Sequence, residues 1–80
     1  MELRNIEVFG RDGGRCIYCT RAEELLKKMD LEYDFYKVDE NKELLLTKRN
    51  LEDLKGQTIP QIFIDGEYVG GFDELKDILL

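Results

Sequence analysis

Apolar side chains along the 80-residue chain change their spacing several times, and each change marks an element. From Leu3 to Phe9 aliphatic residues predominate up to Gly10, and a polar turn follows through Asp12-Gly13-Gly14, which predicts a strand and then a loop. From Cys16 the spacing becomes helical. Tyr18, Ala22, Leu25, Leu26 and Met29 fall on one face, with Arg21, Glu24, Lys27 and Lys28 on the other. Leu31, Tyr33 and Phe35 then alternate with Glu32 and Asp34. After a one-residue slip Tyr36 and Val38 continue, so a second strand is expected to end near Asp39. Asp39 or Asn41 can cap the next helix, expected over Leu44 to Leu54 and closed by Gly56. Within it, Asn50-Leu51-Glu52-Asp53 reads as a second cap that could break the helix in the middle.

Ile62-Phe63-Ile64, Asp65-Gly66 and Glu67-Tyr68-Val69 form the pattern of two antiparallel strands joined by a two-residue turn. Gly70-Gly71 ends this hairpin, and Asp73 is the expected cap of a last helix with Leu75, Ile78 and Leu79 facing inward. The order is β-α-β-α-β-β-α. A helical crossover makes the first two strands parallel, so the expected class is α/β, a four-stranded mixed sheet flanked by helices. No linker, repeat or low-complexity stretch interrupts it, and residues 1–80 are expected to form one domain.

Composition narrows the partners. Twelve Lys and Arg against eighteen Asp and Glu leave a net charge of −6, which disfavours nucleic acid, because phosphate neutralisation dominates that affinity. There is no histidine, which removes the usual general base, a Cys-His nucleophile pair and the commonest metal ligand together. Apolar runs such as Leu44 to Leu46 and Ile62 to Ile64 stop at three residues, against the ~20 of a spanning helix, and the N-terminus has no apolar stretch of signal-peptide type. A cytoplasmic location is expected, where a close cysteine pair is kept reduced and reads as catalytic or metal-binding. Charge is also uneven. Residues 1–29 hold six basic and five acidic side chains and residues 30–80 six and thirteen, so the only thiols, Cys16 and Cys19, lie in the basic window Arg11 to Arg21.

Cysteines three apart at a helix start share a face, with Cβ atoms roughly 5–6 Å apart, near enough to close a disulfide. Cys16 would lie against the free N–H groups and positive end of the helix, beside Arg15, a setting that lowers a thiol pKa from ~8.5 into the range of roughly 3.5–7.5. Cys19, one turn in, lacks that help. Cys16 is therefore the expected attacking nucleophile and Cys19 the resolving thiol. Two other readings compete. Half of a zinc site fails on ligand count, since no third thiol and no imidazole are available, and two chance buried cysteines sit poorly with the polar flanks Gly13-Gly14-Arg15 and Thr20-Arg21.

Phe9-Gly10-Arg11, Cys16-x-Tyr18-Cys19-x-Arg21-Ala22, Thr58-Ile59-Pro60-Gln61-Ile62-Phe63-Ile64 and Gly70-Gly71-Phe72 together resemble a dithiol glutaredoxin over essentially the whole chain. The resemblance implies a thioredoxin-like fold and reduction of protein disulfides and glutathione mixed disulfides, with glutathione as co-substrate. It also implies a cis peptide bond before Pro60, facing the cysteines, and pairing of the Ile59 backbone with the cysteinyl unit of glutathione. Arg11, Arg15 and Gln57 would meet the glycyl carboxylate, the alternative for each being a solvated surface residue. Gly70-Gly71 and the start of the last helix, with Phe72 and Asp73, would receive the γ-glutamyl end, unless the glycines serve only the strand-to-helix turn. Tyr18, Thr58 and Pro60 join the implied glutathione site. Asp73, an acid where many relatives have Ser or Thr, suits the ligand's ammonium better than its carboxylate.

Two departures stand out. Ile17 replaces the usual proline, and some relatives without that proline can bridge an iron–sulfur cluster between two subunits with glutathione as co-ligand. The loop Gly13-Gly14-Arg15 is also slightly longer. The Gly-Gly-Phe-Asp ending is similar to that of phage-borne glutaredoxins that feed ribonucleotide reductase, which makes that enzyme a candidate acceptor. The expectation is a monomer acting on glutathione and disulfide-containing proteins, with no metal ligands, nucleic acid or membrane. Its rivals are a glutaredoxin-like redoxin reduced by thioredoxin reductase and a non-catalytic iron–sulfur or metal-binding module.

Overall fold

Two strands of the sheet are buried on both faces, and the rest of the fold is arranged around them. The computed structural model describes residues 5–80, in the order β1 (Ile6–Gly10), α1 (Ile17–Lys28), β2 (Asp34–Lys37), α2 (Lys42–Arg49), β3 (Gln61–Ile64), β4 (Glu67–Gly70) and α3 (Phe72–Leu79). The sheet runs β2-β1-β3-β4, with β1 parallel to β2 and antiparallel to β3, and β3 antiparallel to β4. The expected mixed sheet and element order are both present. The expected strand start at Leu3 lies outside the described residues.

The pleat sorts β1 and β3 between two cores. Ile6, Val8, Ile62 and Ile64 pack with Ala22 and Leu26 of α1 and Leu75 of α3. On the opposite face Phe9 and Phe63 pack with Val38 and with Leu45 of α2. Phe9 stacks on Tyr36, ring centroids 4.8 Å apart, and meets Phe63 edge-on at 5.6 Å. Glu7 interrupts this second core, where its carboxylate takes Lys48 Nζ at 3.0 Å and the Tyr36 hydroxyl at 3.4 Å. No helix among the described residues is long and apolar enough to cross a membrane.

Several expected boundaries shift, each for a local reason. β1 ends at Gly10 as expected, with Gly10 itself inside the strand and paired with Lys37. The second strand starts at Asp34 and not at Leu31, because Asp30 takes a left-handed conformation (φ 59°) and the Leu31 N–H turns back onto Leu26 C=O to close α1. Tyr33, just before the strand, donates its hydroxyl to Glu23 Oε1 at 2.7 Å, and burial with this acidic neighbour pushes the phenol up to about 12.

The second helix is shorter than Leu44 to Leu54. It begins at Lys42 and stops at Arg49, since Asn50 adopts φ 57°, ψ 48° and the Leu51 N–H bonds back to Leu46 C=O. Asn41 occupies the N-cap position, but its side chain donates to Lys37 C=O and leaves the helix N–H groups alone. Asp73 does not cap the last helix. Gly71 is the N-cap, and Glu74 reaches back to accept the Gly71 N–H at 2.8 Å, so Asp73 lies inside the first turn. Leu75 is buried and Leu79 half-buried as expected, whereas Ile78 stays 47% exposed. The hairpin turn is as read, with positive φ at Asp65 (53°) and Gly66 (85°) matching the twist of the flanking strands.

Candidate active site

Cys16 is the N-cap residue of α1, with extended backbone, and its Sγ accepts the Cys19 N–H at 3.2 Å. The two cysteines form a disulfide across the first turn, with Cα atoms 5.2 Å apart. They differ in access as expected, since Cys19 is fully buried and Cys16 is half-buried at the surface. β1 comes very close to Cys19. A Cβ at Gly10 would lie 2.6 Å from Cys19 Sγ and 3.2 Å from its Cβ, so this stretch of strand tolerates only glycine.

Opposite the cysteines stands the Thr58-Ile59-Pro60 segment. The Ile59-Pro60 bond is cis, and Cys16 Sγ lies 3.9 Å from Ile59 O. Two cavities open on either side of Ile59. The larger, about 610 Å³, has Tyr18, Thr58, Ile59 and Pro60 on one side and Gly71, Phe72 and Asp73 on the other. Seven expected site residues therefore converge. Tyr18 does not pack inward as the helical spacing suggested. It is 52% exposed at the mouth of this groove, its ring 6.1 Å from that of Phe72.

The smaller cavity, about 320 Å³, brings in Arg11 and Gln57 beside Ile59, Asp39 and Lys42. Arg15 lines neither cavity. It reaches Asp12 and Asp39, each at 3.9 Å, while Arg11 reaches Asp39 at 3.6 Å and Lys37 reaches Asp12 at 3.4 Å. The basic window seen along the chain is thus partly neutralised in space by Asp39, which arrives from the acidic half. All these pairs are exposed and individually weak.

Gly70, expected beside Gly71, lines the larger groove as well, together with Tyr68, Val69 and Glu74, which were not anticipated. Glu74 was readable, because an acid three residues after a helix cap is a known helix-start pattern. Lys42 was hidden by placing the helix start at Leu44. Glu74→Ala is expected to leave the Gly71 N–H unpaired and to cost ~1 kcal/mol, lowering the melting temperature by roughly 4–8 °C. A calorimetric scan showing no change would remove Glu74 from the helix start.

The glutaredoxin family model matches residues 6–69. Glutaredoxin of Enterobacteria phage T4 is 34% identical over 82 residues, covering 89% of this chain and 94% of its own length. Glutaredoxin 1 of Escherichia coli K12 is 38% identical over 73 residues, covering 84% and 82%. Among solved structures, reduced Escherichia coli glutaredoxin superposes with a TM-score of 0.70 at 30% identity, covering 94% of this chain and 92% of its own. A buckwheat glutaredoxin–glutathione complex gives 0.68 at 25% identity, covering 92% of this chain and 66% of its own.

Proposed function

Because the chain belongs to the glutaredoxin family and is a thiol–disulfide oxidoreductase, we propose that it reduces glutathione mixed disulfides and protein disulfides with glutathione as its electron donor. One observation carries this reading. The Ile59 backbone faces Cys16 Sγ, and the cavities flanking it differ in charge, one with Arg11 and Lys42, the other with Asp73 and Glu74 at a helix start. A tripeptide with a carboxylate at one end and an ammonium at the other fits across both. Its cysteinyl unit would pair with the Ile59 N–H and C=O, as a short added strand against Thr58 and Pro60. The glycyl carboxylate would meet Arg11 and Gln57, and the γ-glutamyl end would meet Tyr18, Gly71, Phe72 and Asp73. Arg15, outside both cavities, contributes only its charge. A glutathione complex among the structural neighbours supports the choice of ligand.

In the mixed-disulfide route the Cys16 thiolate attacks the glutathionyl sulfur, and the substrate leaves as a thiolate that takes up a proton. A second glutathione thiolate attacks the Cys16-bound glutathionyl sulfur. Glutathione disulfide departs and the Cys16 thiolate returns. With a protein disulfide, Cys16 forms the mixed disulfide and Cys19, after losing its proton, attacks Cys16 Sγ. The second substrate thiol is released and the Cys16–Cys19 disulfide remains, to be reduced by two glutathiones. Both routes move two electrons. No imidazole is available in this chain, so activation of Cys16 falls to the helix start, where the Cys19 N–H already meets its sulfur at 3.2 Å.

Ribonucleotide reductase is the proposed protein acceptor, supported by the phage-type Gly70-Gly71-Phe72-Asp73 ending. A monomer in the cytoplasm fits a cysteine pair that must be kept reduced. NADPH consumption tests the electron source. Glutathione with glutathione reductase is expected to sustain turnover of a mixed disulfide, and thioredoxin reductase alone is not. The opposite pairing would assign the protein to the redoxins served by thioredoxin reductase.

A further inference from the structure

Arg49, the last residue of α2, lines neither cavity yet touches a wall of each. Its guanidinium lies over the Tyr68 ring, with Cζ 3.8 Å from the centroid, and Tyr68 borders the larger groove. Its Nη1 donates to Gln57 Oε1 at 3.2 Å and also to Gln61 Oε1. Gln61 is the buried polar side chain of the core, 1% exposed, and its Nε2 donates to Thr58 C=O at 3.1 Å. Both glutamines border the smaller cavity.

A guanidinium offers donors only, so it dictates which end of an amide faces it. For Gln61 the choice is over-determined, with a donor on one side and the Thr58 carbonyl on the other. The Gln57 side chain has no such second partner among the described residues. With its oxygen held by Arg49, the amide nitrogen and its two N–H groups are left for the cavity that Arg11 and Lys42 also line. We propose that Arg49 is a positioning residue that makes the smaller cavity selective for a thiol ligand ending in a carboxylate, by holding Gln57 so that it presents donors and no acceptor. Released from Arg49, Gln57 would offer either end, and the share of the selectivity that Gln57 adds to that of Arg11 and Lys42 would be lost. This rests on the reading that the glycyl carboxylate of glutathione enters that cavity.

The test compares two peptides, one carrying glutathione in disulfide linkage and one carrying glutathione whose glycyl carboxylate is converted to the amide. The unmutated protein is expected to favour the carboxylate form by roughly tenfold, the size of one hydrogen bond to a charged group. Arg49→Met is expected to lower that ratio roughly threefold or more, through KM and not kcat, leaving the part owed to Arg11 and Lys42. Gln57→Leu, at an exposed position, is expected to do the same, and the double variant to lose no more than either single change. Undiminished discrimination in Arg49→Met, or losses that multiply in the double variant, overturn the proposal. An unmutated protein that ignores the carboxylate overturns the orientation of glutathione itself, so the two failures are separable. A measurement without variants applies as well. On titration with S-methylglutathione the Gln57 side-chain amide protons are expected to shift in the NMR spectrum while those of Gln61 hold, and unmoved Gln57 protons would also overturn the role of Arg49.

Discussion

Cys16→Ser is expected to lower turnover of a glutathione mixed disulfide by roughly a thousandfold or more in the NADPH-coupled assay. The reason is positional as well as chemical. Cys16 is the sulfur at the surface, 3.9 Å from Ile59 O and at the start of α1, and a serine hydroxyl there has neither the acidity nor the nucleophilicity of a thiolate. Cys19 cannot substitute for it, being wholly buried behind the first turn and against Gly10. Cys19→Ser separates the two routes. It is expected to keep deglutathionylation within about tenfold of the unmutated rate, because that route needs only Cys16, and to lose reduction of protein disulfides that resolve through the Cys16–Cys19 bond. Substantial activity in Cys16→Ser would sink the assignment of nucleophile.

Phe9→Ala is expected to remove much of the stability of the fold. Phe9 is fully buried, stacked on Tyr36 and edge-on to Phe63, and it ties α2 to the centre of the sheet. Truncating a buried phenylalanine costs ~3–5 kcal/mol, while a domain of this length has only ~4–12 kcal/mol in all. The urea midpoint is expected to fall by at least a quarter. Ile78→Ala provides the contrast, since Ile78 is half in solvent and its loss is expected to cost under ~1 kcal/mol. Equal losses at the two positions would contradict the division between core and surface.

The candidate site was legible because its parts are short stretches of chain with their own chemistry. A cysteine pair opening a helix, an Ile-Pro before an apolar strand and a Gly-Gly before the last helix each carry a local reason to be where they are. The element ends were less legible, because neighbours decide them. The run Asn50-Leu51-Glu52-Asp53 hints at a break in the second helix, but nothing in the spacing of residues 44–54 says that Asn50 will turn left-handed and stop α2 for good. The charge pattern misled for the same reason, since Asp39 reaches Arg11 and Arg15 only after β2 is laid against β1. Arg49, Gln61 and Tyr68 are invisible as a group until α2, β3 and β4 assemble, because their contacts cross three elements.

Gly10 links folding and redox chemistry. If β1 slid by one residue against β3, Phe9 or Arg11 would stand where Gly10 stands, and their side chains would fill the space of Cys19. Only the pairing with Val8 opposite Ile62 and Phe9 opposite Gln61 leaves room for the buried sulfur. The one residue in β1 without a side chain is a register mark for the sheet. Correct strand alignment and burial of the Cys19 sulfur are thereby linked, so the protection of Cys19 from thiol-modifying reagents in the reduced protein reports how much of the population has found the native register.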